Sequence, residues 1–227
     1  YKMYVEMFDR VPLSLLENNW FLENISSKPY VVNDILKRVM DIVLSLFAGL
    51  ISLVLYPIVF LAIKLNDGGK IFTFQDRIGQ DNKIIRLIKF RTMLFDDQGQ
   101  WGTENKTENH VTSVGKFLRK TRIDELPQLW NVLKGDISLI GPRPEFQKPV
   151  AVYIEKIPFY NLRHIIKPGL SGWAQVYHDQ APHHEADIDA TRMKLSYDLY
   201  YIKNRSFLLD IKIALRTIQI LLSRKGI

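Results

Sequence analysis

The sequence predicts an α+β fold, predominantly helical and membrane-associated, with one small antiparallel β-hairpin. Three observations carry this. Residues 42–63 form an unbroken apolar run, two Ile- and Phe-rich stretches flank a polar segment with a glycine, and helical patterning dominates from residue 113 onward.

The apolar run, IVLSLFAGLISLVLYPIVFLAI, is long enough as a helix to cross a hydrocarbon layer of roughly 30 Å. It lacks the polar stripe expected of a helix packed in a water-soluble core. Pro57 removes a helix hydrogen bond and predicts a bend near Leu53 to Pro57. Lys37 and Arg38 precede the run and Lys64 and Lys70 follow it, and positive residues favour the cytoplasmic side, so both ends are expected there. Asp41 is expected to pair with Arg38 at the interface. A re-entrant helix broken at Pro57 satisfies these features, and a kinked transmembrane helix is the alternative.

Residues 1–36 are expected to form a linker or docking arm, with a short helix around Leu13 to Glu23 and an extended approach to the membrane. Tyr1 in place of an initiating Met suggests a piece of a longer protein. After the apolar run, IFTFQDRIGQDNKIIRLIKFRTM predicts the hairpin, with Asp76 to Lys83 between its strands. Residues 96–112 are expected to form a polar loop. Ser113 is a predicted N-cap for helix that continues past an interruption at Pro127. SLIGPRPE and KPGLSGWAQ are expected loops bordering a site. The last stretch, from Ser206, places Phe207, Ile211, Leu215 and Ile218 on one side with Lys212 and Arg216 elsewhere. It predicts an amphipathic interfacial helix, with packing on the domain core as the alternative.

Composition narrows the partners. The chain of 227 residues has 47% hydrophobic residues, enough for a sizeable core, and its net charge of +7 calls for an anionic partner: nucleic acid, a lipid surface or a phosphorylated substrate. Without cysteine, disulfides and thiolate metal sites are excluded and nothing points to an oxidising compartment. No nucleic-acid reading module is recognisable, so nucleic acid is not an expected partner. His183, His184 and Asp187 match no zinc spacing, Gly68 and Gly69 before Lys70 read as a simple turn, and Trp173 is a candidate either for stacking on a base or for the core.

The chemistry centres on Asp124 and Glu125. Pro127 fits the first turn of the helix that follows, so backbone N–H groups and the helix dipole favour an anion nearby. By itself such a pair is an ordinary helix cap. Lys89, Arg91, Arg119, Arg122 and Arg143 are the cations available to gather around phosphate oxygens.

The ordered set KRVMD, Pro57, KFRTM, LRKTRIDELPQLWNVLKGDISLIGPRPE, KPGLSGWAQV and YDLYYIKNRSFLLDIKI resembles the bacterial sugar transferase family, the monotopic polyprenyl-phosphate phosphoglycosyl transferases. Residues 1–30 look like the linker of the longer members. The resemblance implies a re-entrant membrane helix over 37–66 and a catalytic domain over 67–227, at the cytoplasmic face of the bacterial inner membrane. It implies transfer of a sugar phosphate from a UDP-sugar to polyprenyl phosphate, by a ping-pong route with Asp124 as nucleophile and Glu125 as metal ligand or proton-handling group. Adjacent carboxylates repel unless a cation intervenes, so Mg²⁺ on Asp124 and Glu125 is the expected cofactor. Lys89, Arg91, Arg122, Arg143 and Pro144 are the expected phosphate-binding set, and Asp198 is a further match with a metal-binding or structural role. Tyr56 before Pro57 and ENHVT at residues 108–112 depart from the family pattern, so His110 receives no role. A membrane-anchored, non-catalytic scaffold of a glycan assembly complex is the competing function, and homo-oligomerisation is left open.

Overall fold

A computed structural model describes residues 2–16, 20, 31–94, 110–178 and 187–223. The chain opens on α1 (Lys2–Phe8), where no helix was expected, and the predicted helix from Leu13 shows only a 3₁₀ turn, Leu13–Leu15. Most of its remainder, like His183, His184 and much of the polar loop, lies outside the described residues. Within residues 1–36, Val11 is fully buried and its N–H donates to the Ser196 carbonyl at 3.0 Å.

The apolar run forms α2 (Val31–Ser52) and α3 (Leu55–Asp67), meeting at a 56° bend. The break falls where Pro57, lacking an N–H, begins to disrupt the helix ladder. Helix α2 starts at Val31, so the expected extended approach is helical in its last residues. Among the described residues no single helix is long and apolar enough to cross a membrane, whereas the bent pair passes by length and composition. Leu46, Phe47, Leu50, Ile58 and Leu61 all point outward from it.

Charged residues at the start of α2 fasten this pair to the rest of the fold. The Arg38 guanidinium donates to the Val132 and Leu133 carbonyls, both at 2.7 Å, satisfying the end of a later helix. Asp41, buried, accepts from the Leu139 N–H at 3.0 Å, and Lys37 pairs with Asp210 at 3.2 Å. The expected Asp41–Arg38 pair is therefore replaced by two separate anchors, because each side chain meets an unsatisfied backbone group first.

Strands β1 (Phe72–Ile78) and β2 (Ile84–Phe90) form the predicted antiparallel hairpin, Phe72 opposite Phe90. Asp81 and Asn82 take φ of 54° and 57°, the left-handed region that tight hairpin turns require and short polar side chains tolerate. Helix α4 (Ser113–Lys120) is capped one residue earlier than expected, by Thr112, whose hydroxyl accepts from the Gly115 N–H at 2.9 Å. A 3₁₀ turn, Ile123–Glu125, leads into α5 (Gln128–Lys134).

The segments expected as loops contain a second, parallel pair, β3 (Ser138–Ile140) and β4 (Gly169–Ser171). Gly141 and Gly169 permit this approach: a Cβ on Gly169 would stand 2.1 Å from the Gly141 nitrogen. Helices α6 (Gln147–Lys156), α7 (Trp173–Tyr177), α8 (Ile188–Asn204) and α9 (Phe207–Leu222) build the main core around Tyr160, Trp173, Leu199, Ile202 and Ile213. Trp173 is a core residue, donating through Nε1 to the Asp9 carbonyl at 2.8 Å. Helix α9 packs Asp210 and Ile213 inward and leaves Leu208, Leu215, Ile218 and Leu222 exposed.

Candidate active site

The dyad is placed by a sharp reversal. Helix α4 ends at Lys120 with Thr121 as its C-cap, and Arg122 takes φ 58°, a left-handed conformation that glycine usually supplies at a helix end. The chain then turns through Ile123–Glu125 into α5. That helix is held beside β2 by Asn131, which accepts from the Ile88 N–H at 3.1 Å and donates to the Arg86 carbonyl at 2.8 Å. The amide completes two hydrogen bonds that the open edge of β2 would otherwise lack. Lys89, the next residue along β2, is thereby brought to the dyad. Asn131 carries no reactive group and its sequence context gives no sign of this role.

Glu125 is the electrostatic centre. Its Oε1 accepts from Lys89 Nζ and from Arg143 Nη2, both at 3.0 Å, and Oε2 lies 3.9 Å from Arg122 Nη1. Burial alone would raise the Glu125 carboxyl, but Lys89, Arg143 and Arg122 outweigh it and hold the group well below the usual carboxylate range. Burial pushes the Lys89 ammonium down, with Glu125 opposing, and Glu125 raises Arg143.

Asp124 is treated differently. It is 6% exposed, and its Oδ1 is buried without a hydrogen-bond partner. Burial raises its carboxyl above the ordinary aspartate value, with the Lys89 charge opposing. Arg119 and Arg122 also contribute favourable charge, while Arg119 Nε donates to Thr92 Oγ1 at 2.9 Å. Of the two acids, Asp124 has the free lone pair and Glu125 holds the cations.

A cleft opens beside this pair, lined by Arg77, Lys89, Glu125, Gln128, Arg143 and Pro144, with Leu87, Gly169 and Leu170 completing the wall. Asp124 is adjacent to this wall in sequence but is not among the residues lining it. Arg77, which the sequence reading left out, lies over the Phe146 ring at 3.3 Å and donates to the Pro144 carbonyl at 3.3 Å.

Two expected site residues are not brought to the dyad. The Arg91 guanidinium pairs with Asp67 and donates to the carbonyls of Lys70, Met93 and Leu94. Its donors tie the end of α3 to the exit of the hairpin, away from the dyad. Asp198, fully buried, meets Arg163 Nη2 at 2.8 Å. Arg163 also donates to Tyr160 Oη at 2.8 Å and to the Arg143 carbonyl at 3.0 Å, and it pairs with Glu145 at 3.0 Å. The Asp198 alternative of a structural role is the one its contacts support: through Arg163 it steadies the loop carrying Arg143. Among the described residues no group of three or more His, Asp and Glu side chains is arranged to hold a metal ion.

Fold and site together define a small helical domain in which Glu125, rimmed by cations, lines a cleft beside the buried Asp124, with an apolar, bent helix pair in the same fold. The chain belongs to the bacterial sugar transferase family, which it matches over residues 32–224. It is similar to the UDP-N-acetylgalactosamine-undecaprenyl-phosphate N-acetylgalactosaminephosphotransferase of Aeromonas hydrophila, 45% identical over 87% of this chain and 46% of that protein. It is also similar to the UDP-glucose:undecaprenyl-phosphate glucose-1-phosphate transferases of Escherichia coli, 40% identical over 82% of this chain and 40% of the relative, and of Caulobacter vibrioides, 37% identical over 86% and 73%. The chain thus spans less than half the length of the first two relatives.

Proposed function

We propose that this chain transfers a sugar 1-phosphate from a UDP-sugar to undecaprenyl phosphate at the cytoplasmic face of a bacterial inner membrane, as the first membrane step of exopolysaccharide, capsule or O-antigen assembly. The observation that carries it is the division of the dyad: a buried carboxylate oxygen without a partner on Asp124, next to a Glu125 that gathers Lys89, Arg143 and Arg122. The names of the relatives supply donor and acceptor classes. The outward apolar side chains of α2 and α3 support a membrane contact, and the 56° bend between them is compatible with re-entry.

Asp124 attacks the sugar-bearing phosphorus, the bond from that phosphorus to the bridging oxygen breaks, and UMP leaves. A phosphate oxygen of the lipid then attacks the phosphorus of the acyl phosphate, restoring the Asp124 carboxylate and leaving the sugar on a lipid diphosphate. Lys89 and Arg143 neutralise charge on the non-bridging oxygens, which is where phosphoryl transfer needs help.

The donor set fits Mg²⁺, which is usually held by one or two carboxylates with substrate phosphate completing its shell. Asp124 Oδ1 has no hydrogen-bond partner, and Glu125 Oε2 has Arg122 Nη1 at 3.9 Å. When bound, the ion would supply further neutralisation of phosphate charge.

The test incubates the protein with undecaprenyl phosphate, Mg²⁺ and a panel of UDP-sugars, and scores UMP and lipid product. Asp124→Asn should abolish UMP release from the sugar that the wild type uses. Full release by that variant would remove Asp124 as nucleophile, and no release by the wild type from any UDP-sugar would remove the reaction.

A further inference from the structure

Gln128 opens α5 three residues after Glu125 and four after Asp124, and Leu126 and Pro127 between them keep right-handed helical backbone, φ −54° ψ −37° and φ −60° ψ −20°. Residues three and four apart share a face, so Gln128 stands over the dyad. Its side chain lines the cleft with Lys89, Glu125 and Arg143, yet it is 3% exposed and its Nε2 has no hydrogen-bond partner. A buried amide nitrogen without an acceptor is costly, and native proteins keep few. The neighbouring acceptors do not meet it. Glu125 Oε1 already takes two cationic donors, and Asp124 Oδ1 is itself unpartnered. An acceptor and a donor, each unmet, therefore stand on one face of one turn without joining.

We propose that the Gln128 amide is a substrate-binding donor, bonding a non-bridging oxygen of the sugar-bearing phosphate as Asp124 attacks it. This rests on the phosphosugar transfer proposed above. A neutral donor suits the position. Lys89, Arg119 and Arg122 already place positive charge around Asp124, and an amide holds a phosphate oxygen without adding to it. The bond strengthens as charge builds on that oxygen, so its effect belongs mainly to the chemical step.

The test compares Gln128→Met, of similar volume and without the donor, with Gln128→Glu, which keeps the shape and adds a negative charge. Steady-state UMP release, thermal unfolding and calorimetric titration with inorganic pyrophosphate are measured on each. Gln128→Met should lose on the order of 10²-fold in kcat, bind pyrophosphate more weakly, and unfold at or above the wild-type temperature because an unpaired polar group has gone. Gln128→Glu should lose more activity still. A Gln128→Met protein with wild-type kcat and wild-type pyrophosphate affinity would overturn the inference while leaving the transfer reaction standing. Loss of stability and activity together would also overturn it, since the amide would then be a structural support. Wild-type protein inactive toward every UDP-sugar would fail the transfer reading itself. The pyrophosphate titration still judges Gln128 in that event: unchanged affinity in Gln128→Met would discard the amide as a phosphate donor.

Discussion

Replacing Arg163 by Met tests whether the Arg143 loop is held from behind. The guanidinium is 2% exposed and meets Glu145, Asp198, Tyr160 and the Arg143 carbonyl, all between 2.8 and 3.0 Å. Removing one partner of a buried ion pair typically costs about 3–5 kcal/mol, because the other charge is left in a poor solvent. Glu145 retains Lys194, so most of the penalty falls on Asp198. For a domain of this size that corresponds to a fall of roughly 6–20 °C in Tm. Burial already raises the Asp198 carboxyl above its usual value, and loss of Arg163, which opposes burial, raises it further. The variant can therefore relieve its unpaired charge by protonation, and its deficit relative to wild type should shrink as pH falls from 8 to 5. Thermal unfolding of both proteins in detergent across that range is the assay, with UMP release measured where both remain folded. Release should drop even there, since the Arg143 carbonyl has lost its donor. A stability loss under about 1 kcal/mol at pH 8, or a deficit that does not shrink toward pH 5, would refute the reasoning.

Gly169→Ala should destabilise by roughly 3 kcal/mol, since its Cβ would meet backbone of Gly141 and Ile140 at 2.1 and 2.6 Å, and an unchanged melting curve would show the strands can part freely. For the pH profile of UMP release, Asp124 must be ionised to attack, and burial raises its carboxyl while Lys89 opposes. The acid limb should lie above the ordinary value of 3.8, and the residual activity of Lys89→Met should show that limb displaced upward. A limb that stays or moves down in the variant removes Asp124 as the titrating base. Arg38→Met gives up two charged bonds of 2.7 Å to the end of α5 and should cost about 2 kcal/mol in thermal unfolding. Arg38→Lys should recover less than half of that, because one ammonium cannot span both carbonyls with the same fork.

The sequence by itself determined what depends on neighbouring residues. The bend at Pro57 follows from a missing N–H, the hairpin from alternating apolar runs around a short polar turn, and the Asp124–Glu125 turn from a proline placed just before α5. Lys89 and Arg143 were legible as cations of the site through their motifs. Where the side chains of Arg91 and Asp198 go was decided only by tertiary structure, because a charged side chain is claimed by whichever partner the fold brings within reach. For Arg91 these were Asp67 and three carbonyls, and for Asp198 it was Arg163. The same holds for the parallel β3–β4 pair and for Asn131, whose partners lie 31 or more residues away in β4 and more than 40 in β2. Local pattern fixes an element and its face. Which acid of the dyad keeps a free oxygen and which holds the cations depends on contacts between β2, α5 and the Arg143 loop, and those exist only once the chain has folded.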